Sequence, residues 1–263
     1  MGKVVYCNCD DPRQSNFVKY FQINFDTLGL KKLIATGYKK NCHGVKLVYD
    51  CENKDANVEL LKGDGDFRSE ECVKLLDEAD IVVSNPPFSL ASLYMQQLIE
   101  HGKKFLIIGP LNLIKYKDTF PYFMKGLAWP GMNWVKSFTE PDGKVMKMGN
   151  VVWYTNLDHK KRHEKIVCVE KYDSVKYPKF DNYDAIEVGK YTDIPKDYAG
   201  VMGVPISYLM HHNTEQFEIV GELNNGSNNE WDYAEPMIDG KVKYTRILIR
   251  RKPVGENAET PAA

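Results

Sequence analysis

The 263 residues are 43% hydrophobic and 27% charged, a balance that fits a soluble globular protein with a sizeable core, built as one large domain or as one domain with an elaborated lobe. Lys and Arg number 35 against 36 Asp and Glu, so no global field recruits a polyanion, and any nucleic-acid contact has to come from a local basic face. The six cysteines (Cys7, Cys9, Cys42, Cys51, Cys72, Cys168) lack Cys-x-x-Cys spacing, no apolar run approaches the roughly 20 residues of a membrane span, and the amino terminus lacks a signal-peptide layout, so a cytoplasmic protein with reduced thiols is expected.

In chain order, "KVVYCNC" (3–9) predicts a first strand. "DDPRQSN" then supplies turn chemistry, with Ser15 or Asp11 as candidate helix caps. Phe17, Val18, Phe21, Phe25 and Leu28 recur at helical spacing and predict one amphipathic helix to about Leu28, ended by Gly29. "LKKLIATGY" reads as a second strand, and residues 44–67 as two strands joined by a polar turn near Glu52-Asn53-Lys54-Asp55. A helix over about Ser69 to Asp77 leads into the apolar strand of "ADIVVSNPPFSL", followed by a helix over about Leu90 to His101, the strand "KKFLIIGPL", and a short helix in "YKDTFPYFMKG" interrupted by Pro121. This alternation predicts an α/β, doubly wound and mostly parallel sheet with helices on both faces. "GMNWVKSF" and "GNVVWYTNL", separated by a turn at Pro141-Asp142-Gly143, predict an antiparallel hairpin at one edge. No internal repeat is present. Beyond Asp158 the chain turns polar, so a catalytic-type domain over 1–160, a C-terminal lobe over 161–252 and a flexible tail over 253–263 are expected.

The tetrapeptide Asn85-Pro86-Pro87-Phe88 ends an apolar strand at its carboxyl edge, where open α/β sheets keep their ligands. Proline fixes the backbone so that the Asn85 side-chain oxygen and the Pro86 carbonyl can both accept from one amino group, while Phe88 can stack on the flat ring that carries it. With a strong electrophile such as a sulfonium methyl, positioning does most of the work and no deprotonating side chain is required. A strand-ending turn with an incidental Asn is the alternative.

At the end of the first strand, Asn8, Asp10 and Asp11 stand where helix amides are free, without the glycine-rich turn a dinucleotide needs. Acidic groups there suit the amino group of an amino-acid-like cofactor such as S-adenosylmethionine; an acidic helix cap without a ligand is equally compatible. In "KGDGDF", Asp66 could accept from an adenine amino group and Phe67 could cover its face, or the segment is a tight turn.

These three elements, in this order, resemble the EcoRI-type adenine-specific DNA methyltransferases, and the likeness extends to "GKVVYCNCDDPRQSNFVKYF", "GDGDF", "SNPPFSL", "NVVWYTNL", "EQFEIVG" and "YTRILIRRK". The resemblance implies a class I, Rossmann-like fold and methyl transfer from S-adenosylmethionine to N6 of a flipped adenine in double-stranded DNA, as in restriction-modification. It implies Asn85, Pro86, Pro87 and Phe88 as the catalytic group. It places the cofactor on Cys7, Asn8, Asp10, Asp11, Pro12, Asp66 and Phe67; separately, no metal is expected, since no further ligand stands near His211-His212 at metal spacing. It also makes the C-terminal lobe the target-recognition element. Family members carry an upstream Asp-Glu-Phe-Tyr-Thr-like element that helps enclose the cofactor, whereas this chain opens at strand one; no acidic residue ends "LIATGYKK" for the ribose hydroxyls. An RNA adenine methyltransferase, or a methyltransferase-like protein that binds nucleic acid or a partner chain with little turnover, stands as the alternative.

Other segments carry less. His159-Lys160-Lys161-Arg162-His163 reads as a solvated loop or a phosphate contact, and Arg246, Arg250, Arg251 and Lys252 as an edge strand protected by charge or a further phosphate contact. "GELNNGSNNEWDY" is either a base-reading or a solvated loop; His211-His212 beside Met210 reads as packing and capping, and Tyr172, Tyr177, Tyr183, Tyr191 and Tyr198 as packing or recognition.

Overall fold

Val4, Val5, Tyr6 and Cys7 form an uninterrupted buried run, which a strand sustains only with neighbours on both of its faces. Strand β1 (Lys3–Cys7) accordingly lies in the middle of a sheet in the computed structural model of the protein, which describes residues 2–54, 57–139, 143–224 and 230–253. The chain divides into two compact units between Leu157 and Asp158.

In the first unit β1 is followed by helices α1 (Asn16–Ile23) and α2 (Phe25–Leu28), strands β2 (Leu30–Gly37), β3 (Val45–Asp50) and β4 (Glu59–Leu60), helix α3 (Glu70–Glu78), strand β5 (Ile81–Ser84) and helix α4 (Ala91–Glu100). Strand β6 (Lys104–Pro110), helix α5 (Phe120–Met124) and strands β7 (Trp129–Trp134), β8 (Ser137–Thr139), β9 (Val145–Lys147) and β10 (Val151–Thr155) complete it. Eight strands form one sheet in the order β4-β3-β2-β1-β5-β6-β10-β7. β2, β1, β5 and β6 pair in parallel; β3 and β10 run against them, which turns β4 and β7 back to the common direction. The expected mostly parallel α/β sheet is therefore present, with antiparallel pairing at both margins. Alternation along β1 sends Val5 and Cys7 into a core with Val18 and Phe25, while Tyr6 faces Cys72 of α3 and bonds Thr36 at 2.9 Å.

Several expectations need correction. The first helix is two segments meeting at Asn24, because the Asn24 side-chain amide and backbone N–H both donate to the Tyr20 carbonyl, at 2.8 and 3.0 Å. Gly29, at φ 59°, closes the second segment. Pro121 opens α5 instead of interrupting it, since a first-turn proline gives up an N–H that has no partner there. β7 and β10 pair antiparallel at the edge, with Trp134 opposite Val152, but a separate small hairpin of β8 and β9 lies between them in sequence. Asp55 of the first polar turn, and Pro141 and Asp142 of the other, lie outside the described residues.

The second unit holds β11 (Ala185–Glu187), β12 (Val201–Pro205), β13 (Phe217–Leu223), β14 (Met237–Ile238), β15 (Lys241–Val242) and β16 (Arg246–Arg251), with a four-stranded sheet ordered β11-β12-β16-β13. β16 is thus an interior strand and not the charged edge its arginines suggested. Ile247, Leu248 and Ile249 are fully buried, and the charges are neutralised across the sheet: the Arg246 guanidinium forks onto Glu187 at 2.5–3.0 Å and Arg250 donates to Glu218 at 2.6 Å. Tyr172 packs on Tyr177 and Tyr198, Tyr183 stacks on Tyr233, and Tyr191 stacks on His211. His212 accepts or donates at Tyr208 Oη over 2.9 Å, and burial beside Arg162 and Lys252 pushes its pKa down to about 4. Asn225–Asn229 of the amide-rich segment and the tail from 254 lie outside the described residues.

The two arginine pairs differ in burial, so they differ in worth. Arg246→Leu strands a half-sealed Glu187 carboxylate and is expected to cost about 3 kcal/mol, whereas Arg250→Leu, at an exposed pair, costs less than about 1 kcal/mol. Urea denaturation followed by circular dichroism measures both, and equal midpoints for the two variants would contradict the assignment.

Candidate active site

β5 must stop at Ser84 because Pro86 and Pro87 offer no N–H to a neighbouring strand. The chain then passes through Asn85 and enters a short 3-10 turn, Phe88–Leu90, that leads into α4, with Leu90 N–H donating to the Pro87 carbonyl at 2.9 Å. Pro86 is buried, Pro87 is exposed, and Asn85 and Phe88 are half-buried. The Asn85 side-chain oxygen is buried without a hydrogen-bond partner. An orphaned acceptor costs free energy where it stands, and a donor brought to it from outside would recover that cost.

One carboxylate ties this segment to the loop after β1. Asp10 Oδ2 accepts from Ser84 Oγ at 2.7 Å and from Asn85 N–H at 3.3 Å, and Oδ1 accepts from Ser15 Oγ at 2.9 Å. Ser15 is the cap of α1, its oxygen accepting from the N–H groups of Phe17 and Val18. Burial pushes the Asp10 carboxyl upward against the pull of these bonds, and burial beside Asp10 keeps the Cys9 thiol protonated.

Asp11 and Asp66 share a different device. Each accepts the backbone N–H of an arginine two residues on and both arms of that guanidinium: Arg13 at 2.5–3.0 Å for Asp11, Arg68 at 2.6–2.9 Å for Asp66. Those arginine bonds hold both carboxyls below the usual range. The two loops are packed on the end of β2 through glycines. A Cβ on Gly37 would sit 2.8 Å from Asp11 Cα, and one on Gly65, at φ +82°, would sit 2.6 Å from the Gly37 carbonyl oxygen.

Between these strand ends lies a cleft of about 900 Å³. Asp11, Asp66 and Phe67 line one part of it and Asn85, Pro86, Pro87 and Phe88 another, with Phe138, Thr139, Met146 and Met148 of the β8–β9 segment along its wall. Phe67 is held by an edge contact to Tyr94 at 5.0 Å, and Phe88 faces Phe138 at 6.4 Å. A second cavity of about 480 Å³ shares Cys9, Asp11, Asn85, Phe138 and Thr139 with the first and adds Asp10, Ser15, Asn16, Phe17 and Trp153. Asn85 therefore stands at the junction of the two. Cys7, Asn8 and Pro12 are buried and line neither: Cys7 belongs to the core under α1. Sequence reasoning missed Gly37, Tyr38, Arg68 and the hairpin wall. The strand-end glycine in "ATGY" was a usable signal for the first of these, but the hairpin carries none. Among the described residues no group of three His, Cys, Asp or Glu side chains could hold a metal, and no helix is long and apolar enough to cross a membrane.

Residues 1–252 match the family model described as adenine-specific methyltransferase EcoRI. The chain is similar to the Type II methyltransferase M.EcoRI of Escherichia coli, at 44% identity over 95% of this chain and 86% of the relative. Two mycoplasma relatives are 35% identical: M.MgeORF184P of Mycoplasma genitalium, over 96% of this chain and 89% of the relative, and M.MpnI of Mycoplasma pneumoniae, over 95% and 88%. No solved structure gives a significant match.

The glycine contacts make a local prediction. Gly37→Ala is expected to cost about 1–3 kcal/mol, because the backbone of Asp11 has to give way, while Gly63→Ala, with open space around it, stays within about 1 kcal/mol of the parent. Thermal and urea unfolding of the two variants decide it; an unaffected Gly37→Ala would show that the loops are not packed as described.

Proposed function

The chain belongs to the EcoRI family of adenine-specific methyltransferases, and from that premise we propose that it moves the methyl group of S-adenosylmethionine to N6 of an adenine turned out of double-stranded DNA. The observation that carries the reading is the buried, unpartnered oxygen of Asn85 at the junction of the two cavities. Asn85 Oδ1 and the Pro86 carbonyl accept the two hydrogens of the adenine amine. These bonds draw the nitrogen lone pair out of conjugation with the ring and stabilise the positive charge that develops on it. Phe88 offers the ring a stacking face. No side-chain base is needed for attack; the surplus proton leaves once the amine has become cationic and acidic.

The residues present fit the cofactor. The cleft is in the size range of a cofactor site, Asp11 offers negative charge to a cationic amino-acid group, and Asp66 and Phe67 offer an acceptor and a flat apolar face to an adenine. When bound, S-adenosylmethionine supplies a methyl group on a positively charged sulfur. The protein's part is to hold the amine still and in line. Strand directions around β2-β1-β5-β6 with an opposed β10 agree with a class I methyltransferase fold. The unit beyond Asp158 is the candidate for target recognition, because the residues lining the cleft all come from the first unit.

Incubation with methyl-labelled S-adenosylmethionine and separate DNA and RNA pools, followed by nucleoside analysis, tests this. N6-methyladenine is expected from duplex DNA, and Asn85→Ala is expected to lower the rate at least about a hundredfold. Label confined to RNA or protein would overturn the substrate assignment, and an unimpaired Asn85→Ala would overturn the site.

A further inference from the structure

The first loop carries two adjacent acids, and the structure puts them to different uses. Asp11 is a third exposed, lines both cavities, and has its carboxylate forked by Arg13. Asp10 is turned inward, 8% exposed, and its two oxygens take three donors from three separate elements. Ser15 begins α1, Ser84 ends β5, and Asn85 opens the tetrapeptide; they are 5, 74 and 75 residues away from Asp10. A carboxylate has about four acceptor positions, so little capacity is left for a ligand. Ser84 is completely buried and lines neither cavity, so its bond to Asp10 can serve only the protein.

Asn85 needs such a support. Its side-chain oxygen has no partner within the protein, so the direction in which that oxygen points depends on how the backbone of residue 85 is held. Pro86 restricts the chain on the carboxyl side. On the amino side the hold comes from Asp10, directly through Asn85 N–H and through the neighbouring Ser84 hydroxyl. Resting on the reading of Asn85 as the group that receives the target amine, we propose that Asp10 is a positioning residue for Asn85 and not a ligand of the cofactor. The adjacent acids then divide the labour: Asp11 faces the cofactor, and Asp10 aligns the acceptor for the amine. A misaligned acceptor harms the transition state more than it harms cofactor binding.

The test separates those two effects. Asp10→Asn keeps the volume but puts an amide NH₂ where a carboxylate oxygen accepted, and Ser84→Ala removes the 2.7 Å bond to Asp10 together with the hydroxyl's contacts to Cys9 and Tyr94. For each purified variant, S-adenosylmethionine affinity is measured by titration and methyl transfer to DNA by single-turnover kinetics. Asp10→Asn is expected to bind cofactor within about twofold of the parent and to transfer methyl about ten- to a hundredfold more slowly, with a smaller loss for Ser84→Ala. The double variant is expected to be no slower than Asp10→Asn, because both changes cut one connection. A tenfold loss of cofactor affinity with an unchanged transfer rate would make Asp10 a cofactor ligand and overturn the proposal, as would fully additive effects. Should Asp10→Asn fail to fold, Ser84→Ala decides alone: an unchanged single-turnover rate refutes the positioning role. Failure of the underlying functional reading shows separately, as a parent protein that leaves no methyladenine in DNA.

Discussion

The structure around the site depends on one buried carboxylate that must not be left short of donors. Removing Asp10 from water costs several kcal/mol unless hydrogen bonds replace the lost hydration, and within reach the donors are the Ser15 and Ser84 hydroxyls and the Asn85 amide. Satisfying it therefore brings the start of α1, the end of β5 and the Asn-Pro-Pro turn to a common point. The same requirement explains why two serines occupy those places. Ser15 needs a side chain that accepts from helix amides while donating to Asp10, and a hydroxyl does both.

A second constraint works alongside it, through the absence of side chains. Gly37 and Gly65 let the loop after β1, the end of β2 and the loop before α3 approach to backbone contact, reinforced by the bonds from Asp10 N–H to Thr36 and from Lys39 N–H to Asp64. The two aspartate–arginine forks then stiffen the loops from outside. Carboxylate bonds hold the end of the cleft with Asn85, while glycine packing and forks hold the end with Asp66 and Phe67.

How much of this could be read from the chain depended on how local the deciding interaction is. The central strands were legible because apolar runs bounded by Gly29, Gly37, Pro86 and Pro110 specify their own ends. The tetrapeptide was legible for the same reason: prolines dictate backbone without help from distant residues. β16 was misread because the alternation of Arg246 and Arg250 with apolar residues looks like a charged edge, and the acids that neutralise them lie 59 and 32 residues away. The β8–β9 hairpin was not separable from its neighbours, since its exposed residues follow no apolar period.

Asp10 and Asp11 show where sequence reasoning stops in principle. Side by side in "NCDDPR" they are chemically identical, and any rule based on residue type assigns them the same job. What distinguishes them is that the backbone at the end of β1 turns one side chain to the end of β5, where Ser84 reaches it, and the other to the cleft, where Arg13 reaches it. The difference in their titration follows from that, one carboxyl raised by burial and the other lowered by a guanidinium. Two like residues at one strand end thus sit in opposite environments: one is bonded to Ser84 and Asn85 inside the fold, and the other lines the cleft under the fork of Arg13.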